Sequence, residues 1–291
     1  MSVKFDANLV TGLIQRQFPH WADQPVMPVS QGGWDNRTFH LGNDKLVRLP
    51  SAEHYARAVH KEQTWLPRLA PQLPLPIPKP LAMGEPDNSY PWHWSVYQWL
   101  GGEVATLDGL RDLNMFANDL AGFLRKLQAC DSSGGPTRKL RGGSLAQYDD
   151  QFVEAIKRLD GQLDTHTAEQ IWQQALAAAF TEESVWYHGD VAAGNLLVNG
   201  GKLSAVIDFG GLRVGDPACD TVIAWTFLTA PSRAVFRKAL EVSDAVWQRG
   251  RGWALWKGLI VLAGIVETNS MEAAASQYAI DQVISDWKSN P

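Results

Sequence analysis

The chain of 291 residues is predicted to be an α+β protein in two parts, a small antiparallel sheet within residues 1–100 and a mostly helical part over residues 101–291. Three observations carry this prediction. Short apolar runs broken by turn residues fill the first hundred positions, apolar residues at helical spacing dominate after residue 110, and Gly101-Gly102 separates the two regimes.

In the first part, residues 27–30, 37–41 and 45–49 read as strands, with Gly42-Asn43-Asp44 as a hairpin connection. Residues 52–69 have the spacing of a helix that crosses the sheet. Pro71, Pro74, Pro76, Pro78 and Pro80 cannot occupy a helix interior, so an extended connector is expected before a strand at 94–100. In the second part, 110–129, 147–159 and 168–180 show helical periodicity, and four further helical stretches are expected after Asp216. Ser132-Ser133-Gly134-Gly135-Pro136 and Arg141-Gly142-Gly143 are turn-rich and expected to be exposed, either as a mobile loop near an acceptor site or as a plain linker. Trp225, Trp253 and Trp256 lie on helical patterns and are expected in the core.

Composition narrows the function. With 45% apolar and 20% charged residues, the chain has the make-up of a folded globular protein. A net charge of −5 without a basic stripe argues against a nucleic-acid partner and tolerates a cationic small molecule. Cys130 and Cys219 belong to no CxxC pair and are expected as reduced core residues. The first residues lack the apolar run of a secretory signal. The apolar stretch at 255–266 contains Lys257 and is shorter than the roughly 20 residues that cross a bilayer, so no membrane partner and a cytoplasmic location are expected.

The most informative segment runs Trp186-Tyr187-His188-Gly189-Asp190-Val191-Ala192-Ala193-Gly194-Asn195, followed by two apolar strands joined through Asn199-Gly200-Gly201-Lys202 and then by Ile207-Asp208-Phe209-Gly210. A tight hairpin between those strands would return Asp208 to the end from which Asn195 departs. An amide oxygen and a carboxylate are hard donors suited to Mg2+, which takes its remaining ligands from water and phosphates. Asp190, one short loop earlier, is placed to accept a proton from an attacking hydroxyl.

These residues resemble the aminoglycoside phosphotransferase family. His188 to Asn195 match its HGDxxxxN pattern in full, Ile207 to Gly210 match IDFG, and Gly215-Asp216-Pro217-Ala218-Cys219-Asp220 match GDPxxD. The resemblance implies a protein-kinase-like two-lobed fold that uses ATP or GTP with Mg2+ to phosphorylate a hydroxyl of a small molecule. By the same likeness, Asp190 is the catalytic base, His188 buttresses its loop, and Asn195 and Asp208 are the metal ligands. Asp216 reads as a helix N-cap before Pro217, with Asp220 adding charge to the first turn.

Upstream, Gly32, Gly33 and Asn36 match the family's GGxxN nucleotide loop. Arg48 occupies the position of the strand lysine that grips the phosphates, with Glu62 as its helical partner. Arginine there is a departure, because a guanidinium fork differs from an ammonium in reach and geometry. Lys45 is expected to face solvent, since strand alternation separates it from Arg48. The backbone of Gln98 and Leu100 is expected to meet the nucleobase.

For the acceptor, the resemblance favours an aminoglycoside or another polyhydroxylated cation. Asp149, Asp150 and Glu154 cluster at the start of a helix after a glycine-rich loop and are candidate contacts, with a solvated helix start as the alternative. A macrolide or a metabolite is the alternative acceptor. The activation segment of protein kinases is missing between Gly210 and Gly215, which disfavours protein substrates. Arg48 supports a second alternative, a nucleotide-binding protein without turnover; retention of Asp190 opposes it.

Overall fold

A computed structural model describes residues 3–29, 35–137, 144–266 and 270–289. It divides the chain into two units, Met1–Gly102 with Ala205–Gly210, and Glu103–Ser204 with Gly211–Pro291.

The first unit begins with α1 (Ala7–Gln17), which the strand-and-turn reading of this region did not anticipate. Its signals are local: Asp6 caps it by accepting from the Leu9 amide at 2.9 Å, and Val10, Leu13 and Ile14 form one buried face. β1 (Val26–Pro28), β2 (Asn36–Leu41) and β3 (Lys45–Pro50) follow. α2 (Glu53–Leu69) precedes β4 (Pro80–Gly84) and β5 (Trp94–Gln98). The five strands form one antiparallel sheet in the order β1-β2-β3-β5-β4. Thus the proline-rich connector ends in an edge strand, a place where a first-residue proline is tolerated.

The two faces of the sheet have different tasks. Phe39, Leu41, Val47, Leu49, Trp94 and Val96 pack with α1 in a buried core. Strand alternation sends Arg48, Ser95 and Tyr97 to the other face, where α2 lies; Gln63 of α2 donates to Ser95 Oγ at 3.1 Å.

Lys45 corrects the expectation of a solvent-facing lysine. It does point away from Arg48, but that face is covered: Lys45 is only 9% exposed, lies over the Trp21 ring and pairs with Asp44 at 2.6 Å. Alternation determines a side, and α1 with its following turn decides that the side is not water.

The second unit contains β6 (Glu103–Val104), α3 (Leu113–Gln128), α4 (Asp149–Arg158) and α5 (Thr165–Ala177). After these come β7 (Val185–Tyr187), β8 (Leu196–Asn199), β9 (Lys202–Val206) and β10 (Arg213–Gly215). α6 (Ile223–Thr226), α7 (Ala230–Leu240), α8 (Asp244–Leu262) and α9 (Ser270–Ser289) complete it. β7 pairs with β10 and β6 with β8, both antiparallel. Gly200 and Gly201, at φ +57° and +78°, make the tight turn from β8 to β9 that returns the chain to the first unit at Ala205.

α8 is buried along most of its length, and Trp225, Trp253 and Trp256 are all in the core. Its charges are paired: Arg249 with Asp216 and Arg251 with Asp286. Cys130 and Cys219 are free thiols, both buried. No described helix is long and apolar enough to cross a membrane.

The segment at 132–136 is tied to β7 and β10. Pro136 accepts from the Val214 amide at 2.9 Å, Trp186 Nε1 donates to Asp131 O at 2.8 Å, and Gly135 sits against both Val214 and Trp186. Residues 141–143 lie outside the described residues.

Candidate active site

The segment 188–195 links β7 to β8 in the second unit. Gly189 has φ +84°, and a Cβ there would fall 2.6 Å from the Gly211 carbonyl oxygen, so a side chain is excluded both by conformation and by space. His188 is fully buried, and its Nδ1 accepts from the Asp190 amide at 3.2 Å. Beneath the loop stands Asp220, also fully buried, which accepts from the amides of His188 and Gly189 at 2.7 Å each. Burial pushes the Asp220 carboxyl up to about 6, against the opposing pull of His188 and the two amides.

Sequence reasoning gave Asp220 only a helix-charge role. Its place in the GDPxxD pattern was visible, but its partners lie more than thirty residues away and come together only through the β7–β10 pairing.

Asp190 itself is exposed. The Asn195 side-chain amide donates to the Asp190 backbone carbonyl at 2.9 Å and to its carboxylate at 3.0 Å. This uses the nitrogen of Asn195 to orient Asp190 and leaves its amide oxygen out of both bonds.

In the first unit, Arg48 is the centre of an ion network. Its Nη1 lies 3.3 Å from Glu62 Oε2, and its Nη2 2.9 Å from Asp208 Oδ1. The Tyr97 hydroxyl also donates to Glu62. Burial alone would lower the Arg48 pKa; the carboxylates of Asp208 and Glu62 outweigh it and hold the guanidinium above its ordinary value. Burial and the neighbouring Glu62 carboxylate raise the Tyr97 hydroxyl well above its usual range.

Asp208 has φ +62°, uncommon for a residue with a side chain, and accepts from the Gly210 amide at 3.4 Å. Lys61, beside Glu62 on α2, donates to the Gly210 carbonyl at 2.5 Å. The roles of Tyr97 and Lys61 were missed by sequence reasoning; strand alternation alone could have put Tyr97 beside α2.

A carboxylate and an amide oxygen suit Mg2+, and their small number suits a metal that takes water and phosphates as its other ligands. Among the described residues no group of three or more His, Cys, Asp or Glu offers a metal a cage of its own.

Gly32 and Gly33 lie outside the described residues, while Asn36 begins β2. Gln98 ends β5, and the amide of Trp99, between Gln98 and Leu100, donates to Asp44 O at 2.8 Å. Asp149 and Asp150 occupy the first turn of α4. Asp149 accepts from Trp172 Nε1 at 2.7 Å, Glu154 pairs with Arg158 at 2.8 Å, and Asp150 is exposed.

A five-stranded antiparallel sheet with one crossing helix, followed by a helical unit carrying the HGDxxxxN loop, defines a protein-kinase-like architecture. Solved structures share it. The GDP and kanamycin complex of APH(2")-IIia matches with a TM-score of 0.70 at 20% identity, covering 97% of this chain and 99% of that one. The macrolide 2'-phosphotransferase MphH from Brachybacterium faecium matches with a TM-score of 0.60 at 19% identity, covering 94% and 98%.

Aminoglycoside 3'-phosphotransferase of Escherichia coli is 30% identical over 113 residues, which is 38% of this chain and 42% of that protein; the match thus spans less than half of the relative. Residues 26–253 match the APH phosphotransferase enzyme family, and the chain belongs to that family.

Proposed function

We propose that the protein transfers the γ-phosphoryl group of ATP or GTP, with Mg2+, to a hydroxyl of a small molecule, an aminoglycoside-like cation being the favoured acceptor. The observation that carries this reading is the loop around Asp190: an exposed carboxylate held by Asn195 at 3.0 Å, on a backbone whose amides are clasped by buried Asp220. An exposed acid restrained from both sides is what proton abstraction from a bound hydroxyl needs, since orientation contributes as much as basicity.

In this reading the unit of Met1–Gly102 and Ala205–Gly210 is the nucleotide-binding lobe, with Asn36, Arg48, Glu62 and the backbone of Gln98 and Leu100 as its contacts, and the sequence assigns Gly32 and Gly33 to the same task. Asp208 and Asn195 would hold Mg2+, which when bound would neutralise the phosphate charge. Asp190 accepts the proton of the acceptor hydroxyl, and His188 keeps the Asp190 amide in place.

The second unit takes the acceptor. The net charge of −5 and the aminoglycoside 3'-phosphotransferases among the relatives support a cationic acceptor. Asp150 at the start of α4 is a better candidate contact than Asp149 or Glu154, which already serve Trp172 and Arg158. The likeness to a macrolide 2'-phosphotransferase keeps a macrolide as the second reading.

The test has two steps. Thermal-shift titration with ATP and GTP, each with and without Mg2+, is expected to show metal-dependent stabilisation. A phosphotransfer screen over aminoglycosides, macrolides, sugars and amino alcohols then identifies the acceptor. No stabilisation at millimolar Mg-nucleotide would remove the kinase reading, whereas turnover of a macrolide alone would remove only the aminoglycoside.

A further inference from the structure

The proposed chemistry gives Arg48 one duty, to grip phosphate, yet its observed contacts are two carboxylates. A lysine at this place would offer a single point charge, whereas a guanidinium is a rigid fork able to engage two acceptors at once. Both arms are in use. Nη1 meets Glu62 at 3.3 Å, and Nη2 meets Asp208 at 2.9 Å.

The two arms are not equivalent. The Glu62 side chain is 3% exposed and also receives the Tyr97 hydroxyl, so this end is a buried anchor. The Asp208 side chain is 37% exposed, so the other arm ends where solvent and ligands have access. Asp208 is further restrained by the turn that follows it, through Gly210 N and through Lys61 on the Gly210 carbonyl. The arginine and the carboxylate therefore meet between two fixed points.

Resting on the magnesium-nucleotide reading above, we propose that Arg48 acts as an internal counter-ion of Asp208, which keeps free divalent metal off this carboxylate and makes metal binding depend on the nucleotide. A cation at 2.9 Å from Oδ1 occupies one oxygen of this carboxylate and repels a second positive charge beside it. Phosphate oxygens reverse that balance. They offer Nη2 a charge-assisted acceptor, and they bring a metal whose charge they already share. The Nη1 arm stays on Glu62 throughout. By linkage, metal and nucleotide then strengthen each other's binding by the same factor.

The experiment measures Mn2+ binding by electron paramagnetic resonance, with the nucleotide-free protein and with a non-hydrolysable ATP analogue present. Three proteins are compared: wild type, Arg48→Lys, and Arg48→Met with Glu62→Gln. The double variant removes both buried charges together, so it leaves no buried ion unpaired. Lysine keeps a cation for Glu62 and gives up the second arm.

The double variant in its nucleotide-free form is expected to bind Mn2+ at least about tenfold more tightly than wild type, with the metal–nucleotide coupling weakened by the same factor. Adding Asp208→Asn is expected to abolish the gain. Unchanged free-metal affinity, or a gain that survives Asp208→Asn, overturns the proposal while the wild type still binds Mg-nucleotide. If the double variant does not fold, Arg48→Lys carries the same comparison and the same criterion. Absence of metal-dependent nucleotide binding in the wild type would instead remove the underlying reading, and the counter-ion role with it.

Discussion

Replacing Asp190 by asparagine separates chemistry from architecture. The side chain is exposed, and its carboxylate accepts from the Asn195 amide at 3.0 Å. An asparagine at 190 keeps a carbonyl oxygen that can accept that hydrogen bond, and the second Asn195 bond, to the backbone carbonyl at 2.9 Å, is untouched. The stability change should therefore stay below about 1 kcal/mol, in line with exposed substitutions that leave a contact replaceable. What the amide cannot do is take a proton at neutral pH. A positioned general base contributes about 10²–10⁴ in rate, so the barrier should rise by about 3–5 kcal/mol. Neither metal nor nucleotide is assigned to Asp190, so Mg-nucleotide affinity should change little. Single-turnover phosphotransfer, nucleotide affinity and melting temperature, measured on one preparation, give the three readings. A stable Asp190→Asn protein with near-normal transfer would refute the assigned base. Loss of activity in step with loss of melting temperature would reassign Asp190 to a structural role.

Two further predictions concern the buried carboxylates Asp220 and Asp216. Asp220 has a folded-state pKa of about 6 against an ordinary value of 3.8, so between these values the native state binds more protons than the unfolded chain and its contribution to stability falls as pH rises. The stability advantage of wild type over Asp220→Asn should therefore shrink between about pH 4 and pH 6.5, by up to about 3 kcal/mol. Urea denaturation at stepped pH reads this difference, and parallel profiles would contradict it. Arg249 holds Asp216 through two bonds, at 2.7 and 3.1 Å, with both side chains buried. Arg249→Met should cost about 3–5 kcal/mol by stranding a buried carboxylate, seen as a lowered denaturation midpoint; a change under about 1 kcal/mol would mean that Asp216 is satisfied without it.

What the sequence made legible was mainly local. The HGDxxxxN and IDFG motifs, the glycine hairpin between them and the α2 helix are each written in contiguous residues, and Arg48 and Glu62 could be paired because a strand and the helix after it leave few choices of partner. The α1 helix was equally local and was still missed, since its apolar face at Leu9, Val10, Leu13 and Ile14 is interleaved with polar residues that dilute the signal. The remainder depended on distance. Lys45 could be assigned a side by alternation, but only tertiary packing puts Trp21 over it. Asp220 carries the same charge whether it lines a helix start or supports a loop thirty residues upstream, and the β7–β10 pairing decides between these. Arg48 is the most instructive of them, because its identity was read as a weakness in phosphate binding. The contact with Asp208, 160 positions later, gives the departure from lysine a physical reason: a fork can hold the helix glutamate and the Asp208 carboxylate at the same time.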